Sequence, residues 1–164
     1  MRVYERRPII ATSSCVSSMS HFADDPYEFE ACAVELWRMQ AGESVTYVAT
    51  RRSGDGGRDA YGWYHVGPQA DRIRLEWSLE AKLYSPGSGA GVKETSRLIS
   101  RLRHREFGVF VTTGYVAKQA YEEIRRDQQP VVVICGRDIV ALLKRHGHST
   151  PSALAAWLRG SFPK

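Results

Sequence analysis

Three side chains in this sequence combine oxygen ligands for a cation with a positive charge for a phosphate. Asp59 ends the glycine-rich stretch Gly54-Asp55-Gly56-Gly57-Arg58, and Glu80 and Lys82 follow further along the chain, two residues apart. Carboxylates bind hard divalent cations, and a lysine ammonium can hold a phosphate or position a water. These groups could support metal-dependent cleavage of a phosphodiester, provided that they meet in space.

The segment from Arg72 to Tyr84 is predicted to form a strand because apolar and polar residues alternate along it. Its apolar members are Ile73, Leu75, Trp77, Leu79, Ala81 and Leu83. Successive side chains of a strand point to opposite faces, so Glu80 and Lys82 are expected on one face. Asp59 falls in another predicted strand, 58–66, where an acid is disfavoured unless it has a function or solvent.

Each candidate also has an ordinary structural explanation. Asp59 after two glycines is typical of a turn residue. Glu80 and Lys82 could form surface ion pairs, which contribute little to stability. Glu30, on a predicted helix beside its apolar stripe, is a fourth candidate that on its own indicates a surface acid. The functional interpretation therefore depends on the combination, and on the fact that charges within a helix-covered sheet need a cation or a cleft.

The composition is that of a basic globular domain. The chain has 164 residues, 43% of them hydrophobic and 25% charged, with a net charge of +5 and a pI of about 9.3. This permits attraction to a polyanion without establishing it. No apolar run approaches the roughly 18 residues of a membrane helix, and no signal peptide is visible. We therefore expect a cytoplasmic protein without membrane contact, its three cysteines reduced.

Positive charge is concentrated in a segment predicted to be one helix, Val92–Arg105. Its basic residues are Lys93, Arg97, Arg101, Arg103 and Arg105. A solvated helix face explains such a cluster, and phosphate contact becomes attractive only if a catalytic site lies beside it. The preceding glycine-rich loop, 85–91, lacks the Gly-Lys-Ser/Thr ending of a phosphate-binding P-loop, which excludes that class of nucleotide site.

The predicted element order is αβββαβαβαα, an α/β fold with a mixed sheet flanked by helices. Early hairpin-type strands give antiparallel neighbours, and the later strand–helix units give parallel ones. No internal repeat and no second domain are apparent.

The combination of motifs resembles the PD-(D/E)xK nuclease superfamily and, within it, the Mrr-type restriction endonucleases. The motifs are Phe29-Glu30, Gly54 to Asp59, Glu80-Ala81-Lys82, Phe107 to Thr113, Ala120, and Val133 to Asp138. The likeness covers roughly residues 26–145. Many Mrr-type members have glutamine where this chain has Glu80, so the chain carries the more usual acidic form, which favours catalytic competence.

The resemblance implies a role for each candidate. Asp59 and Glu80 would bind Mg²⁺, with the Ala81 carbonyl as a third ligand, and Mn²⁺ is expected to substitute. Glu30 would reach the same ion directly or through water. Lys82 would position the attacking water, lower its pKa or steady the phosphate. Residues 1–23 would then be an N-terminal arm or linker, 24–148 the Mrr-like endonuclease domain, and 149–164 a C-terminal helix packed on it.

The expected function is Mg²⁺-dependent, restriction-type hydrolysis of double-stranded DNA. Lys93, Arg97, Arg101 and Arg58 would contact the DNA. One such site cuts one strand, so double-strand cleavage implies a homodimer or a partner recognition subunit or domain. Two alternatives stay open: a structure-selective repair or junction nuclease of the same fold, and a DNA-binding module that does no chemistry.

Overall fold

The computed structural model describes residues 19–49, 58–85 and 87–163. Most of the predicted arm, residues 1–18, and the glycine-rich stretch at 54–57 lie outside the described residues. In the part of the chain that is described, no helix has the length and apolar character needed to cross a membrane.

The described elements follow the predicted order. They are α1 (Pro26–Ala41), β1 (Val45–Ala49), β2 (Ala60–Val66), β3 (Ile73–Lys82), β4 (Gly89–Ala90), α2 (Val92–Ile99), β5 (Glu106–Thr112), β6 (Tyr115–Val116), α3 (Lys118–Arg126), β7 (Val131–Ile134), α4 (Gly136–Arg145) and α5 (Pro151–Ser161). Apart from the two-residue strands β4 and β6, this is αβββαβαβαα.

The central sheet is mixed, as expected. Its strand order is β1-β2-β3-β5-β7, while β4 and β6 form a separate parallel pair. Strands β1, β2 and β3 are antiparallel neighbours, whereas β5 runs parallel to both β3 and β7. Strand β3 is therefore central, with a short antiparallel meander on one side and crossover units on the other. The predicted fold class is confirmed.

Different helices cover the two faces of this sheet. The larger core joins α1, α4 and α5 to one face of the sheet, where Trp77, Leu79 and Ala81 of β3 are buried. On the other face, a smaller cluster contains Leu98 of α2 with Phe110 of β5. Because side chains alternate along β3, Glu80 and Lys82 point to the α2 side. The candidate site therefore lies on the face with the smaller core.

The chain before α1 differs from the predicted arm where it is described. Met19–Phe22 forms a 3-10 turn, and both Met19 and Phe22 are buried in the larger core. The Phe22 ring lies 5.8 Å from that of Phe29 and 5.6 Å from that of Phe162. Residues 19–22 of the predicted arm therefore pack on the domain that follows them. Four residues are too few to give a periodic signal in the sequence.

The basic segment predicted as one helix to Arg105 is shorter in the structure. Helix α2 ends at Ile99 with Ser100 as its C-cap, and Arg105 has a φ of 63°. The backbone N–H of Arg103 donates a 2.9 Å hydrogen bond to the Glu106 carboxylate. This turn directs the chain into β5. The apolar period misled the prediction because Leu102 still packs against the smaller core after the helix has ended.

Candidate active site

Asp59 is fixed beside β3 by two backbone contacts. Its own N–H donates to the carbonyl of Leu79 at 3.1 Å, and the N–H of Ala81 donates to its Oδ2 at 2.7 Å. Ala60 is the register partner of Leu79, so one further step along this antiparallel pair sets Asp59 opposite Glu80. Pairing of the two strands thus places two carboxylates that are distant in sequence at directly opposite positions.

Glu80 is almost completely buried, with 2% of its side chain exposed. The Lys82 ammonium lies 3.0 Å from Glu80 Oε1 and donates to the carbonyl of Ala81 at 3.2 Å. Although Nζ is close to Oε1, neither oxygen of Glu80 accepts an aligned hydrogen bond from the described residues. A buried carboxylate is costly unless its charge is compensated. Glu80 is therefore held by neighbouring positive charges rather than by a complete hydrogen-bond shell.

Two arginines supply further positive charge to Glu80. Arg97 Nε lies 4.0 Å from Oε1, and a terminal nitrogen of Arg101 lies 4.0 Å from Oε2. They come from α2 and the turn after it, which approach the sheet closely over Gly108. A Cβ at Gly108 would lie 2.9 Å from a methyl carbon of Leu98. The absence of a side chain there lets α2 lie near β5 and keeps both guanidinium groups within reach of Glu80.

The pKa of Asp59 is raised above its ordinary value. Burial is the largest cause, and the negative charge of Glu80 acts in the same direction. The hydrogen bond from Ala81 and the charges of Lys82 and Arg97 lower the pKa, but they do not outweigh burial. The ionised form of Asp59 is thus less favourable here than in water. These groups influence one another and form one electrostatic cluster.

The oxygen atoms of this cluster suit a small hard cation. Within the described ranges, no group of three or more histidine, cysteine, aspartate or glutamate residues is placed to hold a metal. Mg²⁺ needs only one or two carboxylates because it keeps several waters, whereas zinc prefers nitrogen and sulfur ligands. Asp59, Glu80 and the Ala81 carbonyl are such a sparse set. The two Glu80 oxygens, which accept no aligned hydrogen bond from the described residues, could serve as ligands.

The remaining predicted site residues lie in different surroundings. Glu30 is half-buried on α1, which packs on the face of the sheet opposite the Glu80 side chain. Lys93 is exposed near the start of α2. Arg58 does not point freely to solvent, because a terminal nitrogen of its guanidinium lies 3.6 Å from the buried carboxylate of Glu106. The structure therefore brings Asp59, Glu80 and Lys82 together, while the helix that carries Glu30 packs on the other face of the sheet.

Sequence reasoning missed a second buried polar group beside the site. Glu106 is 4% exposed; Oε1 accepts a hydrogen bond from the Ser78 hydroxyl, and Oε2 accepts one from the N–H of Arg103. With Arg58, this group links the residue before Asp59 to β3 and β5. An acid beside the apolar run of β5 was a visible signal. Its partners were not, because they depend on the pairing of β3 with β5.

The fold indicates the class to which the chain belongs. A mixed sheet flanked by helices, with this topology, is restriction-endonuclease-like. The restriction endonuclease family model matches residues 23–143, and the chain belongs to that family. Comparison with curated proteins gave no match.

Two solved structures resemble the chain over nearly all of its length. One, described as the DNA modification-dependent restriction endonuclease AspBHI, is 39% identical with a TM-score of 0.85 and covers 98% of this chain. The other, the MspJI restriction endonuclease in complex with a 27-mer oligonucleotide, is 27% identical with a TM-score of 0.82 and covers 100%. The chain spans only 44% and 40% of those two proteins, respectively.

Proposed function

We propose that this chain is a Mg²⁺-dependent endonuclease domain that hydrolyses phosphodiester bonds of double-stranded DNA. The observation that carries the proposal is the convergence of Asp59, Glu80 and Lys82 from two paired strands. The Asp59 carboxylate is hydrogen-bonded to the residue between Glu80 and Lys82, and the latter two lie 3.0 Å apart. Membership of the restriction endonuclease family supports the same chemistry.

The residues of the cluster would have different roles in such a reaction. Asp59, Glu80 and the Ala81 carbonyl would hold Mg²⁺, with Mn²⁺ as a substitute and Glu30 contributing through water. The bound ion would neutralise charge that develops on the phosphate during in-line attack. Lys82 would orient the attacking water or hold a phosphate oxygen. Its ammonium already lies within 3.2 Å of two of the proposed ligand atoms.

DNA would reach the site along the basic segment that ends beside Glu80. Lys93 and Arg97 on α2 and Arg101 after it offer positive charge to backbone phosphates, which gives affinity without sequence choice. The structural neighbour MspJI was solved with an oligonucleotide, which supports DNA as the ligand. Arg58, paired with Glu106, is a weaker candidate for phosphate contact.

Recognition of a particular target would require more than this site. The neighbour AspBHI is DNA modification-dependent, and the chain matches less than half of it. We infer that a recognition domain or subunit acts with this domain and that modified DNA is the preferred target. Cleavage of both strands would require two such sites, and hence a homodimer or a second nuclease subunit.

The decisive experiment is a plasmid-nicking assay on modified and unmodified DNA, with Mg²⁺ or with EDTA. We expect nicking only with the metal, its loss in Asp59→Asn and Lys82→Met, and normal activity in Arg159→Gln. Arg159 is exposed on α5, which packs against the opposite face of the sheet. Like the two site variants, Arg159→Gln removes one charge, so it serves as the matched control. Nicking that persists in EDTA or in Asp59→Asn would overturn the proposal. Cutting restricted to branched substrates would instead indicate a junction or repair nuclease.

A further inference from the structure

The cluster around Glu80 contains more positive than negative charge. Lys82, Arg97 and Arg101 surround a site whose carboxylates are Glu80 and Asp59. In the described part of the chain, three cations therefore face two acids at a place proposed to bind a divalent cation. A bound metal would increase this excess further, and like charges at such distances repel. The question is therefore why two arginines, in addition to Lys82, lie beside a carboxylate that is proposed to bind a metal.

The geometry of the arginine contacts indicates that they are exchangeable. At 4.0 Å, both contacts with Glu80 are longer than hydrogen bonds, which lie between about 2.7 and 3.2 Å. Each arginine is therefore attracted to Glu80 by charge alone, and it can move away without breaking a hydrogen bond to Glu80. The Arg97 side chain is 54% exposed and that of Arg101 is 27% exposed. Part of each side chain is therefore open to a ligand that arrives from solvent.

We propose that Arg97 and Arg101 serve two successive purposes at this site. In the metal-free protein they neutralise Glu80, and in the DNA complex they bind the oxygens of the phosphate that is cut. A guanidinium suits the second task because it donates parallel hydrogen bonds to phosphate. The inference rests on the proposed nuclease function. It assigns the two arginines to the reacting phosphate rather than to general backbone contact.

A consequence is that metal and DNA bind cooperatively. Metal alone must compete with both arginines for Glu80 and adds to the positive excess. The phosphate of DNA draws the arginines towards itself and reduces the excess, so each ligand favours the other. A protein of this kind would hold its metal weakly until substrate is present.

The first test measures metal binding in the DNA-free protein, so it does not depend on cleavage. Mn²⁺ is titrated into the 164-residue chain while the electron paramagnetic resonance signal of free Mn²⁺ is followed. We expect the double variant Arg97→Gln/Arg101→Gln to bind Mn²⁺ roughly tenfold more tightly than the parent, because two repelling charges are gone. The variant Arg97→Lys/Arg101→Lys keeps both charges, so its Mn²⁺ affinity should stay near that of the parent. The same is expected of Arg159→Gln. Equal affinity in the parent and the double glutamine variant, whether tight or weak, would overturn the proposal.

The second test measures single-turnover cleavage at saturating DNA and metal. We expect Arg97→Gln and Arg101→Gln each to lower the rate constant about 10²–10³-fold, as for the loss of one donor to a transition state. Lysine at either position should recover only part of the rate, because it cannot form the paired hydrogen bonds. If the arginines only make general backbone contacts, the glutamine variants will need more DNA to reach saturation, but their rate constant at saturation will equal that of the parent. That result would overturn the proposal. If the parent itself does not cut, the nuclease function fails, and the Mn²⁺ comparison still decides whether the arginines neutralise Glu80.

Discussion

The backbone N–H of Ala81 donates a 2.7 Å hydrogen bond to Oδ2 of Asp59. This bond ties the residue before β2 to the segment of β3 that carries Glu80 and Lys82. It stabilises the ionised carboxylate, but burial acts more strongly in the opposite direction, and the pKa of Asp59 is raised. Burial thus opposes the negative charge of Asp59 even though cationic side chains lie beside it.

Asp59→Asn is expected to stabilise the metal-free protein at neutral pH while abolishing cleavage. Because the folded-state pKa of Asp59 is raised, its contribution to stability is present at low pH and is lost as the pH rises through that pKa. Asparagine keeps an oxygen that can accept from Ala81 and does not titrate. In thermal melts from pH 4 to 8, the advantage of the variant should therefore grow with pH. Mg²⁺ should raise the Tm of the parent only. A variant less stable than the parent at pH 7 would contradict this.

Glu80→Gln should have the opposite effect on stability. Removal of this buried charge leaves Lys82, Arg97 and Arg101 without their shared partner. We expect a loss of about 1–2 kcal/mol, less than the roughly 3–5 of a fully buried pair because the cations reach solvent. High salt should reduce this deficit in chemical denaturation. Cleavage should fall only about 10–100-fold, because the amide oxygen remains a ligand. A salt-independent deficit would argue for lost packing instead.

Arg58→Gln separates a structural role from DNA contact. Arg58 lies 3.6 Å from Glu106, which is buried, so its loss should lower the free energy of unfolding by about 1–2 kcal/mol. Cleavage should also weaken because Asp59 is the next residue. If Arg58 instead binds a phosphate, stability is retained and the slope of log affinity against log salt falls by about one. Thermal melts and fluorescence-anisotropy titrations at several salt concentrations distinguish these results, with Arg159→Gln as the matched control.

Glu30→Gln tests whether the acid on α1 belongs to the reaction. Helix α1 packs on the sheet face opposite the Glu80 side chain, so we expect Glu30 to act through water rather than as a direct ligand. Single-turnover cleavage should fall by about tenfold, far less than in Asp59→Asn. A loss as large as that of Asp59→Asn, restored by higher Mg²⁺ concentration, would instead make Glu30 a direct ligand.

Local pattern made much of this site predictable. The alternation of β3 requires that Glu80 and Lys82 share a face, because the side-chain period of a strand is two. The element order predicted a mixed sheet, and the family motifs predicted the restriction endonuclease family to which the chain belongs. The end of α2 was predicted incorrectly, because an apolar period continues through a turn as long as its residues still pack.

The sequence by itself determined the class of protein, the order of its elements and the residue types available for chemistry. Tertiary structure alone decided which charges from different elements face one another. Arg97 and Arg101 reach Glu80 because α2 packs closely over Gly108, and Arg58 reaches Glu106 because β5 pairs with β3. Both arrangements depend on contacts between segments that are distant along the chain. Periodicity describes only the neighbours of a residue within its own element, so it carries no information about such contacts.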